Sequence, residues 1–277
     1  MACIQGDIEK LAHSAIGIVR AYKNKNIIHA VKRAKKSGLG MVVVVVNELM
    51  DEGSVVRDLK DAGLLESEWL KIIGHNYSGK AWSKELNLGL NLAKVHNLSS
   101  EAKGREKFKY VINFSVETLF EPVHVEAALN SFTKYENAGV IGTSFLAKKY
   151  LTDENVIKLG RSYNHPRNTF MAINIERLGH FWWSFNIELD EKRGMEDLYF
   201  IFEMLLHTGL DSVMLDLQIP LIVGAHYNQG VKQENEEEAM RGIVKHFRSL
   251  FKNVITDTGK EILSSIEAVI AEMRLED

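Results

Sequence analysis

Short apolar runs and amphipathic stretches alternate along the first part of the chain. Residues 15–21 and 41–46 are apolar and rich in β-branched side chains, and the second run contains five consecutive valines. Such runs are typical of strands that are buried on both faces of a parallel sheet. Between them, residues 26–37 place apolar side chains at helical spacing, with basic side chains on the other side. The pattern predicts a strand-helix-strand unit, whose functional site would lie at the carboxyl ends of the strands.

The alternation of strand and helix patterns continues beyond this unit. It predicts helices over 53–62, 79–98, 123–137 and 194–209, and strands over 69–73, 109–114, 138–143 and 170–175. From residue 234 to residue 273 the sequence is rich in glutamate and has helical spacing. The simplest division is therefore one α/β domain over residues 1–230, followed by a helical C-terminal extension over residues 231–277 that packs on it.

Composition narrows the class of protein. The chain has 277 residues, of which 45% are hydrophobic and 26% charged, so it can bury a full core without metals or disulfides. Its single cysteine, Cys3, excludes an internal disulfide framework and favours a reducing cytoplasm. There is no secretory pattern and no apolar run of membrane-spanning length, so we expect a cytoplasmic protein without an integral membrane segment. The net charge of −3 excludes a general attraction to polyanions but allows a local basic patch.

Two acids, Glu196 and Asp197, stand near the start of the apolar helix predicted over residues 194–209. Acids in a first helical turn can simply satisfy free backbone N–H groups and the positive end of the helix dipole. Trp182, Trp183 and Phe185 precede them, however, and aromatic side chains beside carboxylates suit a sugar or nucleotide site. The sequence leaves both interpretations open.

Several short motifs follow one another in a fixed order. They are Ala21-Tyr22-Lys23-Asn24 at the end of the first strand, Val46-Asn47-Glu48 at the end of the second, Asn76, Gly79, Ala81 and Asn87 at a loop entering a helix, and the pair Glu196-Asp197. This order resembles the nucleotide-sugar-binding domain of glycosyltransferases with the GT-A fold, especially the large family 2 group. The resemblance covers about residues 14–230, and it implies a Rossmann-type mixed, mostly parallel sheet flanked by helices.

The resemblance also implies roles for individual residues. The donor site would contain Arg20, Ala21, Tyr22, Asn47, Glu48, Asn76, Gly79, Lys80, Asn113 and Ser115. Asp197 would be the base that deprotonates the acceptor, and Glu196 would contact a hydroxyl group of the donor or acceptor. Asn174, Trp182 and Trp183 would frame the acceptor, although the segment around Asn174 also fits a plain strand with alternating side chains.

The sequence departs from the family at the metal site. Family members generally carry Asp-any-Asp before the donor phosphates, whereas this chain reads Asn113-Phe114-Ser115. Neutral oxygen ligands bind Mn²⁺ or Mg²⁺ more weakly than carboxylates do. Metal binding could involve Ser115 together with Glu117 and His226, or cations of the protein could stabilise the diphosphate instead. A structural role for Asn113 and Ser115, capping a turn before Pro122, also remains open.

These observations predict a glycosyltransferase that uses a nucleotide-diphosphate sugar, with or without a divalent cation. The acceptor would be a saccharide or a modified nucleic acid base. The nucleic acid is included because the basic segments at 23–36 and 103–109 could follow a phosphate backbone. One alternative is a sugar nucleotidyltransferase, although the loop after the first strand is not rich in glycine as that class requires. Another is a non-catalytic binding protein with the same fold. The sequence fixes neither the stereochemistry of transfer nor the oligomeric state.

Overall fold

A computed structural model describes residues 10–21, 27–47, 52–65, 68–76, 82–116, 118–143, 145–148, 156–157, 169–179, 196–215, 217 and 221–224. The strands are β1 Ala15–Ala21, β2 Met41–Asn47, β3 Leu70–His75, β4 Tyr110–Ser115, β5 Thr118–Leu119, β6 Ala138–Thr143, β7 Phe145–Lys148, β8 Val156–Ile157, β9 Phe170–Asn174, β10 Asp211–Leu215 and β11 Leu221–Gly224. The helices are α1 Ile27–Lys36, α2 Glu52–Asp61, α3 Trp82–Ala102, α4 Pro122–Lys134, α5 Ile175–Leu178 and α6 Glu196–Thr208. The predicted extension over residues 231–277 lies outside the described residues.

Seven of the described strands form the main sheet, in the order β10-β6-β9-β4-β1-β2-β3. Every strand runs in the same direction except β9, which is antiparallel to both of its neighbours. The prediction of a mixed, mostly parallel sheet is therefore confirmed. All the parallel strands end at one edge of the sheet, which we call the carboxyl edge, and begin at the opposite amino edge.

A second, smaller sheet has the order β5-β11-β7-β8. The sequence analysis did not predict it, because its described strands have only two to four residues, which is too short for an alternating pattern to stand out. β5 follows β4 almost directly, and β7 follows β6 in the same way. The smaller sheet therefore continues from the carboxyl edge of the main sheet.

Helices cover both faces of the main sheet. On one face, α1, α2 and α4 pack against alternate strand side chains, including Val42, Val44 and Val46. On the other face, α3 and α6 pack against the remaining side chains, including Val43 and Val45. The valine run is thus buried on both sides, as predicted. We call the second face the α3–α6 face. Among the described helices, none is long and apolar enough to cross a membrane.

Gly40 allows the chain to turn into β2, and it offers a test of the fold. Its N–H donates to the carbonyl of Ala15, and a Cβ atom at this position would lie 2.0 Å from the carbonyl oxygen of His13. We expect Gly40→Ala to lower the free energy of unfolding by about 3 kcal/mol or more, because a backbone atom cannot move aside easily. Denaturant unfolding measures this effect.

The matched control for this prediction is Gly63→Ala. Gly63 has a positive φ of 67°, and a Cβ atom there would meet nothing within 4 Å. The substitution should therefore cost only about 1–2 kcal/mol of backbone strain. Equal losses of stability at the two positions would contradict the close approach at Gly40.

Candidate functional site

Polar side chains from β1 and β4 meet on the α3–α6 face, near the carboxyl edge. Because side chains alternate along a strand, Arg20 lies on the same face as Ile18, and Asn113 and Ser115 share that face too. Arg20 pairs in register with Ser115 and Ile18 with Asn113. The Nε and one terminal nitrogen of Arg20 are buried, and the side chain of Asn113 is buried as well. The structure therefore places the cation Arg20 beside two neutral polar side chains, those of Asn113 and Ser115.

A second buried polar group lies on the same face, at the end of β3. His75 is the last residue of this strand and pairs in register with Asn47, the last residue of β2. Its Nε2 lies 3.0 Å from Oε1 of Glu85, in the first turn of α3. The side chains are only 3% and 4% exposed. The pair joins the carboxyl end of β3 to the beginning of the helix that covers β1 and β2.

Asp197 lies on α6, which covers the same face. Phe200 and Met204 pack into the core there. The sulfur of Met204 lies against Gly139, near the amino end of β6, where a Cβ atom would come within 2.5 Å of it. The helix therefore runs from the carboxyl edge toward the amino edge. Asp197, about one turn before Phe200, lies on the carboxyl side, and its side chain is 2% exposed.

The structure brings some of the predicted site residues together and leaves others undescribed. Arg20, Asn113, Ser115 and Asp197 share the α3–α6 face, and Asn47 ends β2 at the same edge. Ala21 ends β1 there, but its side chain packs on the opposite face, and Asn76 is exposed directly after β3. The structure does not describe Tyr22, Glu48, Gly79, Lys80, Glu117, Trp182, Trp183, His226 or the side chain of Glu196.

Asn174 does not belong to this group, which corrects its prediction as an acceptor residue. Because β9 runs antiparallel to β4, its last residue pairs with Tyr110 at the amino edge. The side chain of Asn174 is buried and accepts a hydrogen bond from the N–H of Arg177, which caps the short helix α5. Its role is therefore structural, and it lies a full strand length from the carboxyl edge.

Neither His75 nor Glu85 is among the predicted site residues. The apolar pattern predicts a third strand that ends at residue 73, which leaves His75 in a loop. The signal for Glu85 was present, since an acid one turn before Gly89 stands on the inward side of α3, beside Leu86 and Leu90. A charged side chain on the buried stripe of a helix usually has a buried partner.

The described residues do not offer a divalent cation the ligands that it favours. Asn113 and Ser115 are neutral, and Arg20 brings a positive charge to the same face. Among the residues that the structure describes, no group of three or more His, Cys, Asp or Glu side chains could hold a metal. A cation at this edge would therefore depend on Glu117 and His226, which lie outside the described residues.

A cavity of about 1770 Å³ lies at the amino edge, far from this group. Its lining includes Lys36 from the first basic segment and Lys107 and Lys109 from the second. Both described parts of these segments therefore end at the amino edge. Several of their cations are already paired: Lys36 bonds to Glu121, and Lys107 lies 3.2 Å from a glutamate.

His96 shows how basic the neighbouring surface is. Near the end of α3 it packs against Phe108, with 4.8 Å between the ring centroids and the ring planes tilted by 44°. Burial lowers the pKa of His96, and the nearby cations Lys71, Arg105 and Lys103 lower it further. Among the described residues, Lys71, Lys103 and Arg105 thus add positive charge beside His96.

No protein-family model and no curated protein matches the sequence, but several solved structures are similar to this chain in fold. TarS of S. aureus has a TM-score of 0.57 and 15% identity, over 94% of this chain and 70% of its own, and another TarS structure is in complex with UDP. The mannosyltransferase PcManGT of Pyrobaculum calidifontis, in complex with GDP-Man and Mn²⁺, has a TM-score of 0.53 and 14% identity, over 95% of this chain and 73% of its own. These proteins are glycosyltransferases of the GT-A type. The chain has the GT-A fold.

The GT-A fold confirms the fold class that the order of motifs implied. The likeness to TarS extends over 94% of this chain. At about 15% identity it establishes the architecture.

Proposed function

We propose that this protein is a glycosyltransferase that moves a sugar from a nucleotide-diphosphate sugar to an acceptor hydroxyl group. The observation that carries the proposal is the position of Arg20, Asn113, Ser115 and Asp197 on one face at the carboxyl edge. In open α/β sheets, ligands bind outside the carboxyl ends of the strands. The structural neighbours TarS, in complex with UDP, and PcManGT, in complex with GDP-Man, support a nucleotide-sugar donor.

Each group on this face supplies one requirement of glycosyl transfer. The acceptor hydroxyl must lose a proton, and Asp197 is the carboxylate that we assign as general base. The departing nucleoside diphosphate gains negative charge, and Arg20 is the fixed cation that we assign to stabilise it. Asn113 and Ser115 add neutral hydrogen-bonding groups beside the phosphates. A divalent cation, where one is bound, would neutralise diphosphate charge in the same region.

The distribution of charge favours a saccharide acceptor over a modified nucleic acid base. A nucleic acid acceptor needs cations along its path to the reacting atoms. Lys36, at the end of the first basic segment, and Lys107 and Lys109 of the second lie at the amino edge, and Lys36 and Lys107 are paired with glutamates. The undescribed Trp182 and Trp183 stay proposed as the aromatic platform for the acceptor.

Calorimetry with UDP-, GDP- and dTDP-sugars, each with and without Mn²⁺, tests the proposed function. Tight binding of one donor, followed by release of the free nucleoside diphosphate when saccharides are added, supports a transferase. Absence of binding by every donor would contradict it. The GT-A fold alone predicts neither result, because one fold can carry different activities.

Asn113 and Ser115 favour one second candidate, a binding protein with the GT-A fold and no catalysis. Where family members carry acids, this chain carries neutral side chains, which would reduce metal-assisted departure of the diphosphate. Such a protein would bind one nucleotide sugar and leave it intact. Product analysis after prolonged incubation with donor and a panel of saccharides separates the two candidates.

Glu117 provides the prediction on metal dependence. If Glu117 is a ligand, Glu117→Gln should weaken activation by Mn²⁺ about tenfold or more, because an amide oxygen replaces a carboxylate. The measurement is a titration of transferase activity with Mn²⁺. An unchanged Mn²⁺ response would remove Glu117 from the site and leave the protein's own cations to stabilise the diphosphate.

A further inference from the structure

We propose that His75 and Glu85 are positioning residues for the donor, an inference that rests on the proposed function. The two side chains join the last residue of β3 to the first turn of α3, on either side of residues 76–81. Three of the residues assigned to the donor site, Asn76, Gly79 and Lys80, fall in that connection. The pair therefore fixes both ends of the segment that carries them.

Stability alone does not account for this pair. Both side chains are almost completely buried, and moving charged or polar groups out of water costs free energy. Replacing such a pair by apolar side chains of similar volume is often neutral or stabilising. Leu86 and Ile73 lie close to the pair on this face and are apolar.

A role in positioning explains the buried pair of His75 and Glu85 better than stability does. A hydrogen-bonded pair has a defined geometry, whereas two apolar side chains can slide past each other. His75 also stands in register with Asn47, the donor residue that ends β2. A shift at the end of β3 would therefore change the spacing between Asn47 and the β3–α3 connection.

The same helix provides a matched control at its other end. The side chain of Asn97 donates to the carbonyl of Phe108 at 2.8 Å and accepts from its N–H at 2.9 Å. This contact also ties α3 to the chain beside a strand, but it does so at the amino edge. Asn97→Ala should lower the melting temperature and leave donor affinity unchanged.

The test compares the wild-type protein, Asn97→Ala and a double variant, His75→Leu with Glu85→Leu. We expect the double variant to fold, and to bind UDP or GDP, whichever the wild type binds, at least about tenfold more weakly. The KM for the matching donor should rise in parallel, with kcat at saturating donor and the KM for the acceptor changed less. Where the double variant does not fold, the single variant Glu85→Met gives the same comparison, because methionine keeps much of the volume and removes the hydrogen bond.

The outcomes separate this inference from the proposed function. A wild-type protein that binds neither UDP nor GDP overturns the proposed function and this inference with it. A wild type that binds, with a folded double variant of unchanged affinity, overturns only the positioning role. Equal weakening of donor binding in Asn97→Ala would also overturn it, since a general loss of rigidity would then explain both results.

Discussion

Asp197→Asn should reduce kcat for glycosyl transfer by about 10²–10⁴, the usual contribution of a general base. The side chain is buried on α6, on the carboxyl side of the α3–α6 face, where an acceptor would meet the donor. An amide has nearly the same shape but cannot accept the proton of a hydroxyl group. Donor affinity should stay within about threefold, because the substitution removes no group assigned to the diphosphate.

The choice of asparagine also tests the alternative role of Asp197 as a helix cap. Asparagine caps a helix about as well as aspartate, so the variant should keep its far-ultraviolet circular dichroism and its melting temperature. Glu203→Gln is the matched control. Glu203 lies on the same helix and pairs with His207 at 2.9 Å, away from the carboxyl edge. Its kcat should match that of the wild type.

Two results would contradict the assignment of Asp197 as the base. One is a folded Asp197→Asn variant that keeps kcat within tenfold of the wild type, which would move proton transfer to another group. The other is a variant that loses its fold, which would show that the carboxylate is needed for structure. A pH–rate profile adds a further check: a limb of the profile that disappears in Asp197→Asn belongs to this carboxylate.

The hydrophobic pattern of the sequence predicted the architecture well, because apolar positions in the sequence correspond to buried positions in the fold. The boundaries of β1 and of the strand Ala138–Thr143 are those of the predicted strands. The alternation after residue 169 is also confirmed, with Phe170 and Ala172 on one face and Met171 and Ile173 on the other. What this pattern does not contain is the direction of a strand, since alternation is the same read either way.

Asn174 was assigned to the acceptor because of the family resemblance, and the direction of β9 decides where this residue lies. If β9 were parallel to its neighbours, its last residue would lie at the carboxyl edge, beside the acceptor. Because β9 is antiparallel, the same residue lies at the amino edge and caps α5. Strand length was the second limit. Ending β3 at residue 73 placed His75 in a loop, so its pairing with Glu85 on α3 could not be anticipated.

Arg20 is a charged residue within an accurately predicted apolar strand, and the hydrophobic pattern does not explain why it is there. The apolar run over residues 15–21 predicted β1, and Arg20 interrupts the run at its sixth position. The guanidinium of Arg20 is partly buried on the α3–α6 face. At the carboxyl edge, beside Ser115, a diphosphate is an anion that the proposed function supplies.

Arg20→Met should therefore lower kcat/KM for transfer by about 10²–10³, in the range found when a donor that stabilises a developing negative charge is removed. Methionine retains much of the volume and removes the charge. Affinity for the free nucleoside diphosphate should fall at least about tenfold, because the product carries the charge that Arg20 is assigned to meet. Steady-state kinetics and product-inhibition measurements provide both quantities.

Arg20→Lys separates charge from geometry. Lysine keeps the positive charge but lacks the planar fork that binds two phosphate oxygens at once, so activity should recover only in part. Added Mn²⁺ should rescue Arg20→Met if a metal and Arg20 share the neutralisation of the diphosphate, and it should have no effect if Arg20 acts alone. A folded Arg20→Met variant with undiminished transfer would leave Arg20 a structural role only, and the stabilisation of the leaving diphosphate would then have to come from another part of the chain.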